Sequence, residues 1–219
     1  MHLDSGREDH NRSVCQAGVF DRAMTAIRAA KAAGVDGITI SPGYAYERAP
    51  DQTHFLNRRR TKNLFRAIFT RSDRARRWRF AQSPLFLDFL PGNQTYHCTP
   101  WGNSTRNVFG WQRTCYLLGE GYAPSYRALM DETDWDAYGT DHYEKCADCM
   151  VHSGYEATAM ADSVRRPWKA LIAAVRGPRT QGAMAPEIPL DPQRPAEHVF
   201  SRHVDRALAR LAVAPAGDD

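Results

Sequence analysis

Gly37-Ile38-Thr39-Ile40-Ser41-Pro42-Gly43 is the stretch whose reading decides the fold. Ile38-Thr39-Ile40 is short, apolar and β-branched, the composition of a strand buried in a parallel sheet. Ser41-Pro42-Gly43 then breaks it into a loop. Downstream, His54–Thr70 repeats apolar residues at helical spacing, which predicts a helix turning Phe55, Leu56, Leu64, Phe65, Ile68 and Phe69 toward a core. Trp78–Gln82 reads as the next strand. Upstream, Val19–Ala33 places Phe20, Ala23, Met24, Ile27 and Ala30 on one helical face and is stopped by Gly34. His2-Leu3-Asp4 reads as the end of an earlier strand. Strand, loop, helix and strand in this order predict an α/β fold, a partial (β/α) barrel or a piece of a doubly wound sheet. In a barrel, residues just past the carboxyl ends of strands line the active site. Asp4, Glu8 and His10 follow the first strand end, and Tyr44, Tyr46, Glu47 and Asp51 follow the second. They are the candidates for substrate and cofactor contacts, with ordinary solvated loop residues as the other reading.

Beyond Pro91-Gly92 the composition changes. Residues 1–91 form the α/β part, with Leu85–Leu90 as a short helix or apolar turn at its end. Residues 92–176 form a small irregular and helical region rich in Cys, Gly, Trp and Tyr, with helices expected over Pro124–Glu132, Gly154–Val164 and Pro167–Arg176. The last of these has proline at its first position, where the missing N–H is harmless. Residues 177–219 begin with a proline-rich arm and end in an amphipathic helix over Ala196–Val213, presenting Val199, Phe200, His203, Val204, Leu208 and Leu211.

Four of the five cysteines lie in the middle region, as Cys98 and Cys115, with sixteen residues between them, and then Cys146-Ala-Asp-Cys149. A C-x-x-C puts two sulfurs on one tight turn, and four thiolates satisfy either zinc or an iron–sulfur cluster. Gly102, Gly110 and Gly154 would let the backbone approach such a centre, and Trp101, Trp111, Tyr116 and Tyr143 would keep it dry. The spacing leaves zinc and iron–sulfur both open. His97, His142 and His152 flank the cysteines as spare ligands or surface residues. Cys15 stands apart, before the first helix.

Composition narrows the classes further. With 42% hydrophobic residues in 219, the chain can bury a core, and no apolar run approaches the roughly 20 residues of a membrane helix. The polar N-terminus has no secretory signal, so a soluble cytoplasmic protein is expected, where clustered cysteines serve as ligands more often than as disulfides. Net charge is +4, yet arginines crowd Asn57–Phe80. That run reads either as an anion-binding surface or as a solvated helix face; no nucleic-acid partner is expected.

Two strings carry a resemblance. WRFAQSPLFLDFLPGNQTYHCTPWGNSTRNVFGWQRTCYLLGEGY, starting at Trp78, and YEKCADCMVHSGYEATA, starting at Tyr143, resemble the C-terminal region of the hopanoid-biosynthesis-associated radical SAM protein family, the adenosylhopane synthases. GITISPGYAYERAPDQTHF and MAPEIPLDPQRPAEHVFSRHV are similar to it as well. The resemblance implies a radical SAM (β/α) barrel with a C-terminal extension, a 4Fe-4S cluster, S-adenosylmethionine as cofactor, and transfer of a 5′-deoxyadenosyl radical to diploptene. It further implies a flavodoxin- or ferredoxin-like electron donor and association with the membrane or with other hopanoid enzymes. The order C-x11-G-x4-C then C-x2-C also resembles auxiliary-cluster regions of the twitch or SPASM type, which assigns Cys98, Cys115, Cys146 and Cys149 to an auxiliary cluster. The radical SAM signature C-x3-C-x2-C is absent from this sequence, and Ser153 stands where the family pattern suggests a cysteine. The chain is thus expected to be a truncated form, shortened between Ala29 and Gly37 and inactive alone. A zinc- or cluster-binding structural module is the alternative.

Overall fold

The computed structural model describes residues 16–43, 56–70 and 79–189. The chain divides into two compact units, Met1–His97 with Asp148–Glu187, and Cys98–Ala147 with Ile188–Asp219. The expected strand end at His2-Leu3-Asp4 and the C-terminal helix over Ala196–Val213 lie outside the described residues.

In the first unit, helix α1 (Val19–Ala32) ends as the sequence predicts, with Gly34 in the left-handed region at φ 84°. The two expected strands are present only as a minimal pair: Ile38 and Phe80 form a parallel bridge. Ile38 N–H donates to the Arg79 carbonyl at 2.9 Å and Ala81 N–H to the Ile38 carbonyl at 3.0 Å. The Gln82 side-chain amide extends the pairing by donating to the Ile40 carbonyl and accepting from the Ile40 N–H. Gly37 sits close to the neighbouring backbone, where a Cβ would meet the Arg79 carbonyl at 3.2 Å. Two parallel segments joined through a helix are the connectivity of α/β folds.

That helix, α2, spans Arg58–Thr70 after the non-helical Leu56 and Asn57; His54 and Phe55, expected at its start, lie outside the described residues. The Asn57 side chain accepts from the Arg60 N–H at 2.9 Å, which caps the helix there. Its inward face also differs from the expectation. Phe65 and Phe69 are buried, but so are Thr61 and Lys62, whereas Leu64 and Ile68 are exposed. Lys62 takes a core position because its ammonium reaches Glu187. Burial pulls the Lys62 pKa down despite that partner. Burial pushes the Glu187 carboxyl up, but the hydrogen bond and charge of Lys62 and the charge of Arg58 outweigh it and hold it low.

Helix α3 (Pro84–Phe89) is the centre of this unit. Ser83 caps it by accepting from the Phe86 N–H, and proline occupies its first turn. Leu85, Phe86, Phe89 and Leu90 are fully buried, each worth roughly 1.5–3 kcal/mol of transfer free energy. Phe89 stacks on Tyr155 of helix α5 (His152–Arg165) with ring centroids 4.7 Å apart. Helix α6 (Pro167–Arg176) packs on both α3 and α5. After it, the proline-rich segment runs without secondary structure, as expected, and is pinned by Ala185 N–H to the Gly92 carbonyl and by Thr95 to the Pro186 carbonyl.

The second unit contains a small antiparallel sheet that the sequence did not suggest: β1 (Arg106–Asn107), β2 (Gly110–Gln112) and β3 (Tyr122–Ala123), in that order. Asn107 pairs with Gly110 across a tight turn at Val108-Phe109. Gly110 is required by β3: its φ is 128°, and a Cβ there would meet the Ala123 carbonyl at 2.8 Å. Helix α4 (Tyr126–Glu132), capped by Ser125, packs against β2 and β3. With this sheet and the helices of the first unit, the described architecture is mixed α and β, and the barrel closure is not among its features.

Asp162 ties α5 to α6 and to Tyr96. Its buried carboxylate accepts from Tyr96 at 2.7 Å, Lys169 at 2.8 Å and Arg166 at 2.5 Å. Burial pushes its pKa up, but these three donors pull it from 3.8 to about 2. A depressed carboxylate stabilises the fold above its unfolded pKa and loses that effect as pH falls through the folded one. Asp162 should contribute about 2 kcal/mol near neutrality, lost progressively below about pH 4. Urea titrations of wild type and Asp162→Asn should therefore differ most at pH 7 and converge near pH 2.

Candidate functional site

Two groupings of functional side chains stand out, one in each unit. In the first unit the chain leaves the parallel bridge at Ile40-Ser41 and Gln82-Ser83, the carboxyl ends of the two extended segments. Helix α5 starts against both. His152 N–H donates to the Ser41 hydroxyl at 3.3 Å, and Glu156 accepts from the Ser83 N–H at 2.7 Å. The α5 N-cap residue, Val151, supplies no side-chain acceptor. His152 Nδ1, Ser153 Oγ and Glu156 Oε2 are buried with no hydrogen-bond partner among the described residues. Leaving such atoms unpaired costs roughly 1–3 kcal/mol each, so the arrangement suits water or a small polar group. Ser41 and Ser83 could have been read from the rule that strand ends line a site. His152, Ser153 and Glu156 could not, because a distant helix brings them there.

Of the residues predicted for this role from the loops, Asp4, Glu8, His10, Tyr44, Tyr46, Glu47 and Asp51 lie outside the described residues, as does Cys15. The basic run is partly described. Arg58 donates to the Cys149 carbonyl and the Tyr155 hydroxyl, Lys62 pairs with Glu187, and Arg66 donates to the Pro91 and Gly182 carbonyls. These three cations tie the unit together, while Arg59 and Arg60 are exposed. Arg71, Arg74, Arg76 and Arg77 lie outside the described residues.

In the second unit the centre is Glu120, which the sequence reading passed over. Its buried carboxylate accepts from Tyr138 at 2.7 Å and from Tyr143. Burial, reinforced by the bond to Glu120, pushes Tyr138 up to about 12 and Tyr143 well above the usual phenol range. The charge of Cys146 adds to both shifts. Cys146 itself ends a single 3-10 turn over Glu144–Cys146 and donates its N–H to the Tyr143 carbonyl at 2.8 Å. Thr114 is buried with a left-handed φ of 41°, a strained conformation for a β-branched residue, directly before Cys115. Burial raises the Cys115 thiol pKa, and the N–H groups of Leu117 and Leu118 directed at the sulfur oppose that rise.

Cys98, Cys115 and Cys146 belong to the second unit and Cys149 to the first. All four are half-buried and none is in a disulfide. As placed, however, no group of three or more His, Cys, Asp or Glu among the described residues is arranged to hold a metal ion. Of the expected dry shell, Tyr143 is buried, but Trp101 is exposed and packs edge-on against Trp135, and Trp111 packs against Tyr126. Among the flanking histidines, His97 and His142 are exposed. His142 lies 3.3 Å from Asp141.

Two measurements check these assignments. Glu156→Ala removes the acceptor for the Ser83 N–H and should cost about 1–2 kcal/mol in urea denaturation, whereas Ser153→Ala removes a buried hydroxyl with no partner among the described residues and should leave stability unchanged or raise it. In a spectrophotometric titration of the folded chain, Tyr138→Phe should delete a phenol ionising near pH 12. Loss of a phenol ionising near pH 10 would contradict the Glu120 cluster.

No curated protein and no solved structure matches the chain. A family model described as "Domain of unknown function (DUF3463)" matches residues 38–173, from the parallel bridge through the cysteine-rich unit into α6. With more than half of its length inside that match, the chain belongs to the DUF3463 family.

Proposed function

We propose that the chain acts in hopanoid biosynthesis as part of a radical SAM-type enzyme that joins a 5′-deoxyadenosyl group from S-adenosylmethionine to diploptene, giving adenosylhopane. The observation that carries this reading is the family match over residues 38–173, since that family is associated with radical SAM-like proteins. The long strings similar to the hopanoid-associated family supply the substrate. The parallel bridge with a helix between its partners is in keeping with a barrel fragment, and the polar groups at its carboxyl end with a ligand-binding end.

A 4Fe-4S cluster, when bound, supplies the reductive cleavage of S-adenosylmethionine in such enzymes. Overall the conversion joins the adenosyl 5′ carbon to the terminal alkene carbon and releases methionine. It consumes two electrons and one proton, which a flavodoxin- or ferredoxin-like donor and solvent provide. The cysteine-rich stretch Cys98–Cys149 is assigned an auxiliary cluster on its spacing and resemblance. No role in the chemistry is assigned to it. The alternative is a structural zinc module, which four cysteines at this spacing satisfy equally well.

Anaerobic reconstitution with iron and sulfide separates the two. The proposal expects a brown protein with about four irons and matching acid-labile sulfide per chain, lost in Cys146→Ser and Cys115→Ser. About one zinc and no sulfide would establish the structural module instead. Lacking C-x3-C-x2-C, the isolated chain is expected to release no 5′-deoxyadenosine, and robust turnover by it would overturn this division of labour.

A further inference from the structure

Helix α6 carries its apolar stripe on the wrong side for a core helix. Trp168, Leu171, Ile172 and Val175 recur at i, i+3, i+4 and i+7, the spacing of one helical face. They are 75%, 51%, 51% and 78% exposed, and no residue of α6 is buried. The face turned toward α3 carries the small Ala170 and Ala173, with Lys169 reaching inward to Asp162. A packed amphipathic helix would present the large residues inward, so this stripe is matched to something outside the unit.

Charge says what that is. From Ser163 to Pro186 the sequence holds no acidic residue, yet it contains Arg165, Arg166, Lys169, Arg176 and Arg179. The four arginines are exposed at the two ends of α6. A groove of about 480 Å³ beside Leu85 and Ile172 is rimmed by Lys169, Arg176 and Arg179. The carboxylate in it, Asp88, is already taken up by Asn93, Gln94 and the Arg179 N–H. A second copy meeting this face two-fold would bring its own arginines against these, a like-charge juxtaposition. An apolar stripe with an exposed tryptophan and a cationic rim is instead the pattern of a helix lying in the plane of an anionic bilayer surface.

We propose that α6 docks this chain on an anionic lipid surface, with Trp168, Leu171, Ile172 and Val175 in the acyl boundary and Arg165 and Arg176 among the headgroup phosphates. No helix among the described residues is long and apolar enough to cross a membrane, so the contact is peripheral. The surface stands independently of any reaction at the cysteines or at the bridge.

Co-sedimentation of the full chain with vesicles tests it. Vesicles of phosphatidylcholine with about a third phosphatidylglycerol should retain the chain at low salt, with marked release at about 0.5 M salt. Pure phosphatidylcholine should retain much less. Trp168→Ser with Val175→Ser should weaken partition at least about tenfold, and Arg165→Glu with Arg176→Glu should do the same. These side chains are exposed in the folded chain, so thermal melts of both variants should match wild type. Failure of the wild type to sediment with anionic vesicles, or equal retention by neutral ones, would overturn the proposal. So would light scattering that shows a wild-type dimer made monomeric by Trp168→Ser with vesicle binding unchanged.

Discussion

Six residues of α3 set the terms for the first unit. A helix of that length cannot sustain itself in water, because nucleation costs more than so few backbone bonds return. It exists because Leu85, Phe86, Phe89 and Leu90 are all removed from solvent by their neighbours. Tyr155 stacks on Phe89 from α5, Tyr96 packs beside the same ring at 5.6 Å, and the Arg58 guanidinium lies 5.7 Å from its centre. Each of those contacts is then locked by a polar one: Tyr96 to Asp162, Arg58 to the Cys149 carbonyl, and Ser83 at the helix entrance to Glu156. The polar groups around the carboxyl end of the parallel bridge are therefore held by the same helix that organises the core.

The basic run shows how a surface feature in one dimension becomes structure in three. Arg58, Lys62 and Arg66 lie four residues apart and so share one face of α2. That face turns inward. Lys62 can be buried because Glu187, from a distant arm, arrives as its counter-charge, and Arg66 caps carbonyls at Pro91 and Gly182. Neither an anion-binding surface nor a solvated face describes these three side chains. Glu187 is half exposed, so removing it would leave the buried Lys62 charge uncompensated, whereas the carboxylate without Lys62 would keep water.

In the second unit the order of dependence runs from backbone to side chain. Gly110 lets β3 approach, β3 supports α4, and the turn between β2 and β3 carries strained Thr114, Cys115 and Glu120. Glu120 then gathers Tyr138 and Tyr143, beside Cys146. A buried carboxylate satisfied by two phenols is a costly arrangement to desolvate and a rigid one once made.

What could be read from sequence alone was whatever depends on neighbours along the chain. The limits of α1 and α6, the extended segments at Ile38 and Phe80, the short helix before Pro91 and the extended arm after Gly177 all follow from local periodicity, glycine and proline. The pairing of cysteines in the sequence was equally plain, since spacing is a one-dimensional property. Which face of a helix is buried, and which carboxylate serves as a hub, depends on residues tens of positions away. Lys62 displaced Leu64 and Ile68 from the core because of Glu187, and Gly110 proved to be held close against β3. The outward stripe of α6 is the sharpest case: the sequence announced a helix over Pro167–Arg176, and only packing against α3 through Ala170 and Ala173 decided that its large apolar side chains face out.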